Sequence, residues 1–337
     1  MKAVKIEKPY EIDVVDIDKK KPEDGEALLK IKSAGICGSD IGAFRGANQL
    51  VSYPRIIGHE LAGEVISIPK NKKGIEAGDK VIVDPYLYCG ECYPCKIGRT
   101  NCCENLKVLG VQTDGGMSEF FTHPAEMLHK VPADMDWDLI PLAEPLTISL
   151  HGLHRGELSK GEHVVINGAG TIGLFAAMAA QEYGAIPILL DLVQDRLEFA
   201  KKLGIKYVIN IVEEDEIQKI LEITDGRMAE VVLEASGANQ AIRNTLEQVS
   251  YAGRIVLTGW PKDSTLIPTG MITKKEVDIR GGRTSVNEFE EAIDLIHNKK
   301  INAEEVLTKV VELNEVPETM EDIEKNPGDY LKVNVRL

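Results

Sequence analysis

An α/β fold in two parts, one a doubly wound parallel sheet and the other β-rich, is predicted by three observations. At 337 residues the chain is long for one domain. Residues 163–210 alternate short apolar runs with a glycine turn and helical periodicity, the pattern of parallel strands joined by helices. The N-terminal part instead alternates β-rich runs, "ALLKIKSAGI", "LAGEVISI" and "DKVIVDPY", with glycine turns, as in a small distorted barrel.

The parallel sheet begins at "HVVIN" (163–167), after which Gly168-x-Gly170-x-x-Gly173 opens a helical segment starting at Thr171 and Ile172. Gly168 allows the tight turn, Gly170 lets the backbone approach a pyrophosphate, and Gly173 permits close packing of helix on strand. The helix N-terminus then faces the phosphates. A second run, "IPILL", ends in Asp191, eighteen residues after Gly173. Asp191 is expected to accept hydrogen bonds from the adenosine ribose, and its charge would repel a 2′-phosphate, which favours NAD over NADP. Arg196 could flank the adenine or be a surface helix arginine. The runs "YVIN", "AEVVLEA", "GRIVLTG" and "VDIRG" then bring the count to roughly six strands, that of a doubly wound sheet.

Five of the six cysteines fall within residues 89–103. Cys89, Cys92 and Cys95 follow a C-x2-C-x2-C spacing, and Cys103 comes after seven further residues. Four thiolates complete a tetrahedral zinc and leave no position open, so this lobe (about 86–106) is expected to be structural. A redox C-x-x-C pair is the competing reading, and Cys102 is an alternative fourth ligand. Cys37 stands apart in "AGICGSDIG"; His59 and Glu60 follow in "YPRIIGHELAGEV", and Glu144 in "PLAEPLTISLHGL". Cysteine, histidine and a carboxylate make a three-ligand zinc site with a fourth position open, which catalysis needs.

Composition excludes other classes. The net charge is −15 and the basic residues are scattered, so neither nucleic acid nor an anionic membrane surface is an expected partner. The N-terminal stretch has no apolar core of signal-peptide length, and no apolar run approaches the roughly 20 residues of a membrane span. A cytoplasmic protein is expected, where clustered thiols favour metal over disulfides.

These motifs together resemble the zinc-dependent medium-chain alcohol dehydrogenases. "GICGSD", Gly58–Val65, "GDKV", the four-cysteine lobe and "GAGTIG" appear in that family's order. The resemblance implies a Rossmann cofactor domain at 147–282 and a GroES-like catalytic domain at 1–146 plus 283–337, with the active site between them. It implies two zinc ions per chain, NAD as coenzyme, oxidation of a CH–OH donor, and a homodimer or homotetramer. Glu144 resembles the polyol and threonine dehydrogenase branches, in which a glutamate stands where alcohol dehydrogenases proper carry a second cysteine. Cys37, His59 and Glu144 are then expected to hold the catalytic zinc, with Glu60 exchangeable. Ser39 would carry the alcohol proton, and Asp40 would orient His59. Many relatives carry a relay histidine where this chain has Gly42.

For the substrate, Arg45, Tyr53, Arg55, Arg280 and Arg283 are candidates, because arginine binds a carboxylate or phosphate bidentately, with solvated surface arginines as the other reading. The resemblance to the polyol branch, which places a substrate-contacting arginine just after the last cofactor-domain strand, puts Arg283 first. The segments "YPRIIGHE", "CGECYPCKIGRTNCC" and "VLGVQTDGGMSEF" resemble bacterial sugar-acid 5-dehydrogenases acting on L-galactonate, L-gulonate or L-idonate, with polyol and polyol-phosphate dehydrogenases close behind. Readings of other classes are a zinc-free quinone reductase or lens-type relative, and a non-catalytic NAD- and zinc-binding sensor; the set Cys37, His59, Glu60 and Glu144 argues against the first, and the lack of an appended interaction domain against the second.

Overall fold

The computed structural model describes residues 1–337, which divide into two compact units. One comprises Met1–Glu144, Phe289–Asn298 and Ala303–Leu337; the other comprises Pro145–Glu288 and Lys299–Asn302. Residues 283–288, expected with the catalytic domain, therefore fall in the second unit. No helix is long and apolar enough to cross a membrane.

The second unit is built on a six-stranded parallel sheet. In space its strands run Tyr207–Asn210, Ile186–Asp191, His163–Asn167, Ala229–Glu234, Val249–Leu257 and Asp278–Gly281. The chain winds outward from the central strand His163–Asn167 in one direction, then returns and winds outward in the other. All five residues of that strand are buried, as a strand covered on both faces requires. Val165, Ile188, Val232 and Ile255 meet in the apolar core of this sheet. At the end of the central strand the amides of Asn167 and Gln248 exchange hydrogen bonds (2.8 and 3.1 Å), so these buried polar groups are satisfied. All six expected strands are present.

The first unit is β-rich. Its seven-stranded sheet has the long strand Glu26–Ile36 as spine, paired antiparallel to Glu60–Ser67, Lys332–Arg336 and Phe120–Pro124. Register decides what this sheet can do. Gly35 lies opposite Glu60, and Ile36 opposite Val333. Cys37 follows Ile36 directly, His59 precedes Glu60, and Lys332 precedes Val333. Residues almost 300 positions apart therefore meet at one end of three adjacent strands. A short ladder, Tyr86–Leu87 against Lys107–Val108, frames the cysteine lobe.

Candidate metal and cofactor sites

Cys37 directly follows the spine strand and is the N-cap of the helix Gly38–Phe44. Its backbone N–H donates to Asp40 Oδ2 at 2.9 Å, which fixes the turn from strand to helix. Asp40 is itself buried, and its other oxygen lies 3.8 Å from His59 Nδ1. The donor atoms of Cys37, His59 and Glu60 all lie within 4.8 Å of one another. Gly35 makes room for this cluster: a Cβ there would lie 1.8 Å from Glu60 Oε2.

Glu144 is buried beside the cluster and accepts a hydrogen bond from the Tyr86 hydroxyl. Burial, with His59 pulling the other way, pushes its carboxyl up to about 7. Burial and the neighbouring Glu144 charge raise Tyr86 well above the ordinary phenol range, so the ring stays a neutral donor. Burial alone would lower His59, but the charges of Asp40 and Cys37 outweigh it and raise the imidazole well above its usual range. Two residues that sequence reasoning did not single out complete the site. One is Tyr86. The other is Lys332, whose Nζ lies 2.5 Å from Glu60 Oε1 and donates to Ile36 O at 3.2 Å.

Several observations fit this set to a divalent cation. Glu60 Oε2 is buried with no hydrogen-bond partner, although such a group ordinarily finds one. A thiol, an imidazole and carboxylates are the donor types zinc takes at a catalytic site. The same anionic neighbours that favour a charged His59 would be satisfied by a dication, leaving the imidazole neutral and able to ligate. Ser39 sits half-buried in the first turn of the helix Gly38–Phe44.

In the lobe, the sulfurs of Cys89, Cys92, Cys95 and Cys103 also lie within 4.8 Å of one another. Cys92 Sγ is 3.4 Å from Cys95 Sγ and 3.9 Å from Cys103 Sγ. Cys102 is outside the group. Backbone N–H groups of Glu91 and Cys92 pull the Cys89 thiol down to about 6, while burial pushes Cys95 up to about 12. Four sulfurs this close cannot all ionise without a cation among them, and a tetrahedral zinc would supply it.

In the other unit, Gly168 has φ +104°, which favours glycine, and its N–H donates to Leu190 O at 2.8 Å. A Cβ on Gly173 would stand 1.8 Å from Gly168 O, so the helix Thr171–Glu182 can start this close to the turn only with glycine there. Gly170 is the N-cap of that helix, and Thr171 and Ile172 form its first turn. Asp191 ends its strand and accepts from Ala169 N (2.6 Å) and Val193 N (2.9 Å), so it also holds the glycine turn shut. Arg196 lies in the helix Gln194–Lys202.

Most of the substrate arginines already have carboxylate partners. Arg45 pairs with Glu324 (3.3 Å), Arg55 with Asp114 (3.1 Å), and Arg280 with Glu157 and Asp278 (2.7 and 2.8 Å). The Tyr53 hydroxyl donates to Ala43 O at 2.5 Å. Arg283 is exposed.

Comparison with known proteins adds the following. Residues 23–133 match the family profile "Alcohol dehydrogenase GroES-like domain", and residues 171–298 match "Zinc-binding dehydrogenase". An uncharacterized zinc-type alcohol dehydrogenase-like protein of Haemophilus influenzae is 56% identical over 335 residues, covering 99% of this chain and 98% of that one. L-threonine 3-dehydrogenase of Pyrococcus horikoshii is 37% identical, covering 91% of this chain and 90% of its own. L-galactonate-5-dehydrogenase of Escherichia coli is also 37% identical, covering 92% of each chain. An alcohol dehydrogenase of E. coli, rspB, crystallised with NADH, superposes with a TM-score of 0.94 at 32% identity, over 100% of this chain and 99% of that one.

Proposed function

Because the chain belongs to the zinc-type alcohol dehydrogenase family and is an oxidoreductase acting on CH–OH donors, we propose that it oxidises a secondary alcohol of a hydroxy-carboxylate with NAD, most specifically the C5 hydroxyl of a six-carbon sugar acid such as L-galactonate, L-gulonate or L-idonate. The observation that carries this reading is the convergence of half-buried Cys37 with buried His59 and Glu60, with buried Glu144 alongside.

Zinc bound there supplies Lewis acidity that lowers the pKa of an alcohol hydroxyl, and NAD supplies the hydride acceptor. The chain's own residues do the rest. We assign Cys37, His59 and Glu144 as ligands, with Glu60 as an exchangeable fourth. Glu60 carries its own counter-charge in Lys332, whereas Glu144 accepts a hydrogen bond from a neutral phenol. One thiolate and one carboxylate then balance a dication in a buried site. Asp40 accepts from the Cys37 N–H and its other oxygen faces His59 Nδ1 at 3.8 Å, and we assign it to orient both ligands. We assign Ser39 to take the hydroxyl proton; with Gly42 where many relatives carry a histidine, the onward relay would use water, the cofactor ribose or another side chain. Asp191 selects NAD, with Gly168, Gly170, Thr171, Ile172 and Gly173 holding the pyrophosphate and Arg196 flanking the adenine. The lobe cysteines Cys89, Cys92, Cys95 and Cys103 hold a second, structural zinc.

The substrate class rests on chemistry shared by the two named enzymes at 37% identity: L-threonine and L-galactonate are both secondary alcohols bearing a carboxylate. We assign Arg283 to that carboxylate, because it follows the last strand of the parallel sheet and a guanidinium binds a carboxylate bidentately. A polyol phosphate is the second reading, because an arginine serves a phosphate equally well. None of the six cysteines is in a disulfide, which suits a reducing cytoplasm, and a homodimer or homotetramer completes the proposal.

The test is NADH formation by zinc-loaded protein across L-galactonate, L-gulonate, L-idonate, L-threonine, sorbitol, galactitol and galactitol 1-phosphate. Highest kcat/KM on a sugar acid supports the reading. Preference for a neutral polyol or for threonine sinks it, and preference for the phosphate selects the second reading.

A further inference from the structure

We infer that the four-cysteine lobe positions the Glu144 carboxylate through Tyr86, so that the lobe and the Cys37–His59 site act as one mechanical unit. Tyr86 touches both. Its ring packs with Cys103 and Leu106 in the small apolar core of the lobe, against which Cys89, Cys92 and Cys95 also lie. Its hydroxyl donates to Glu144 at the other end. The backbone of Tyr86 is held as well: its N–H donates to Asp84 Oδ1 at 3.1 Å, and it pairs across the ladder with Val108.

A phenol locked at ring and backbone cannot swing, so its hydroxyl fixes one rotamer of the carboxylate it meets. Groups that hydrogen-bond a ligand from outside set its orientation and contribute to metal affinity. Here the ring's seat exists only while the lobe is folded. Cys103 supplies part of that seat and is also one of the four sulfurs that converge in the lobe. Folding of the lobe around its own cation is thereby transmitted, through one aromatic ring, to a carboxylate of the other site. Tyr86 is a positioning residue and takes no part in the chemistry.

This inference rests on the reading above, that Cys37, His59 and Glu144 hold a zinc ion. Its test uses the full-length protein with zinc in both sites and follows release of zinc to a colorimetric chelator. Cys37→Ser and Cys92→Ser assign the two release phases by removing one each. Tyr86→Phe, which keeps the ring in its seat, should speed the Cys37-site phase about 10- to 100-fold and leave the lobe phase at the parent rate. Leu106→Ala, which loosens the seat while leaving every assigned ligand in place, should also speed the Cys37-site phase. A parent-like Cys37-site phase in either variant overturns the coupling, as does Tyr86→Phe accelerating both phases equally. If Cys37→Ser leaves both phases intact, the metal-site reading itself fails and takes this inference with it.

Discussion

Lys332 Nζ lies 2.5 Å from Glu60 Oε1, and the two side chains are 3% and 0% exposed. Removing a lysine and a glutamate from water is costly, and their attraction repays it only with good geometry and further hydrogen bonds. The lysine has one such bond, to Ile36 O. The carboxylate does not: Oε2 lies over Gly35, buried and without a hydrogen-bond partner. The pair is therefore half-satisfied as protein alone, and a cation at the Cys37–His59 cluster would complete it.

That arrangement makes the cost of breaking the pair depend on metal. Lys332→Met leaves a buried carboxylate unpaired, which should destabilise zinc-free protein by about 3–5 kcal/mol. With zinc loaded the loss should be smaller, because the cation takes over the charge. Urea unfolding of parent and variant, each with and without zinc, reads the difference. Equal losses in both states would mean that Glu60 does not face the metal.

The two carboxylates should differ in what they contribute. Glu144→Gln should lose zinc from the Cys37 site and most turnover, while Glu60→Gln should retain more of both. The reason is charge: Glu60 is neutralised by Lys332, whereas Glu144 is hydrogen-bonded by a neutral tyrosine. Zinc content after dialysis and kcat together measure this. Near-complete loss in both variants would show that the ranking is wrong.

Coenzyme choice should turn on Asp191. The parent should prefer NAD, and Asp191→Ala should narrow the gap to NADP by removing a like charge. The same variant should weaken NAD binding too, since Asp191 accepts a hydrogen bond from the Ala169 N–H within the glycine turn. Comparing kcat/KM for both coenzymes is the check, and a parent preferring NADP would reverse the assignment.

Two neighbouring groups should give opposed pH dependences. Burial pushes Asp84 up to about 6 from 3.8, so its contribution to stability is present below 3.8 and is lost as pH rises through 6. Burial pushes His123, which donates to Asp84 O at 2.9 Å, down to about 4 from 6.5. Its contribution is present above 6.5 and is lost as pH falls through 4. The two oppose each other over most of that range and leave a shallow profile. Asp84→Asn removes one side, so the variant should gain on the parent as pH rises from about 4 to about 7, by at most about 3 kcal/mol. The gain should be smaller to the extent that water still reaches the Asp84 carboxylate. A parent–variant difference that does not change with pH, in urea melts at several pH values, would count against the Asp84 shift.

Substrate charge should expose Arg283. If it meets a carboxylate, Arg283→Ala should cost about 2–4 kcal/mol in kcat/KM on the preferred sugar acid. Sorbitol has no carboxylate to lose, so its turnover should hardly change. Equal slowing on both substrates would remove Arg283 from the contact.

The parts of this protein that could be read from its sequence are those in which one short segment carries the whole instruction. The glycine turn and Asp191 span few residues, and each glycine there answers a local demand: φ +104° at Gly168, and a 1.8 Å approach at Gly173. The lobe cysteines are close in sequence and their sulfurs converge within 4.8 Å, as a tetrahedral ion would need, so their spacing alone points to that site. Cys37, His59 and Glu144 lie far apart, but each sits in a motif that could be matched piece by piece. Lys332 and Tyr86 had no such signal. "LKVNVRL" reads as a strand with valines on one face and Lys332, Asn334 and Arg336 on the other, so the lysine looks solvated. Register buries it: Ile36 opposite Val333 and Gly35 opposite Glu60 bring Lys332 beside Glu60 from the far end of the chain. Gly35 likewise looks like an ordinary weak point in a strand until Glu60 Oε2 is seen to occupy the space of its missing Cβ. The arginines of the N-terminal half show the converse, since Glu324 and Asp114, which occupy Arg45 and Arg55, are remote in sequence. Local spacing specified which atoms could bind a metal or a dinucleotide; only long-range strand pairing decided which charges those atoms would face.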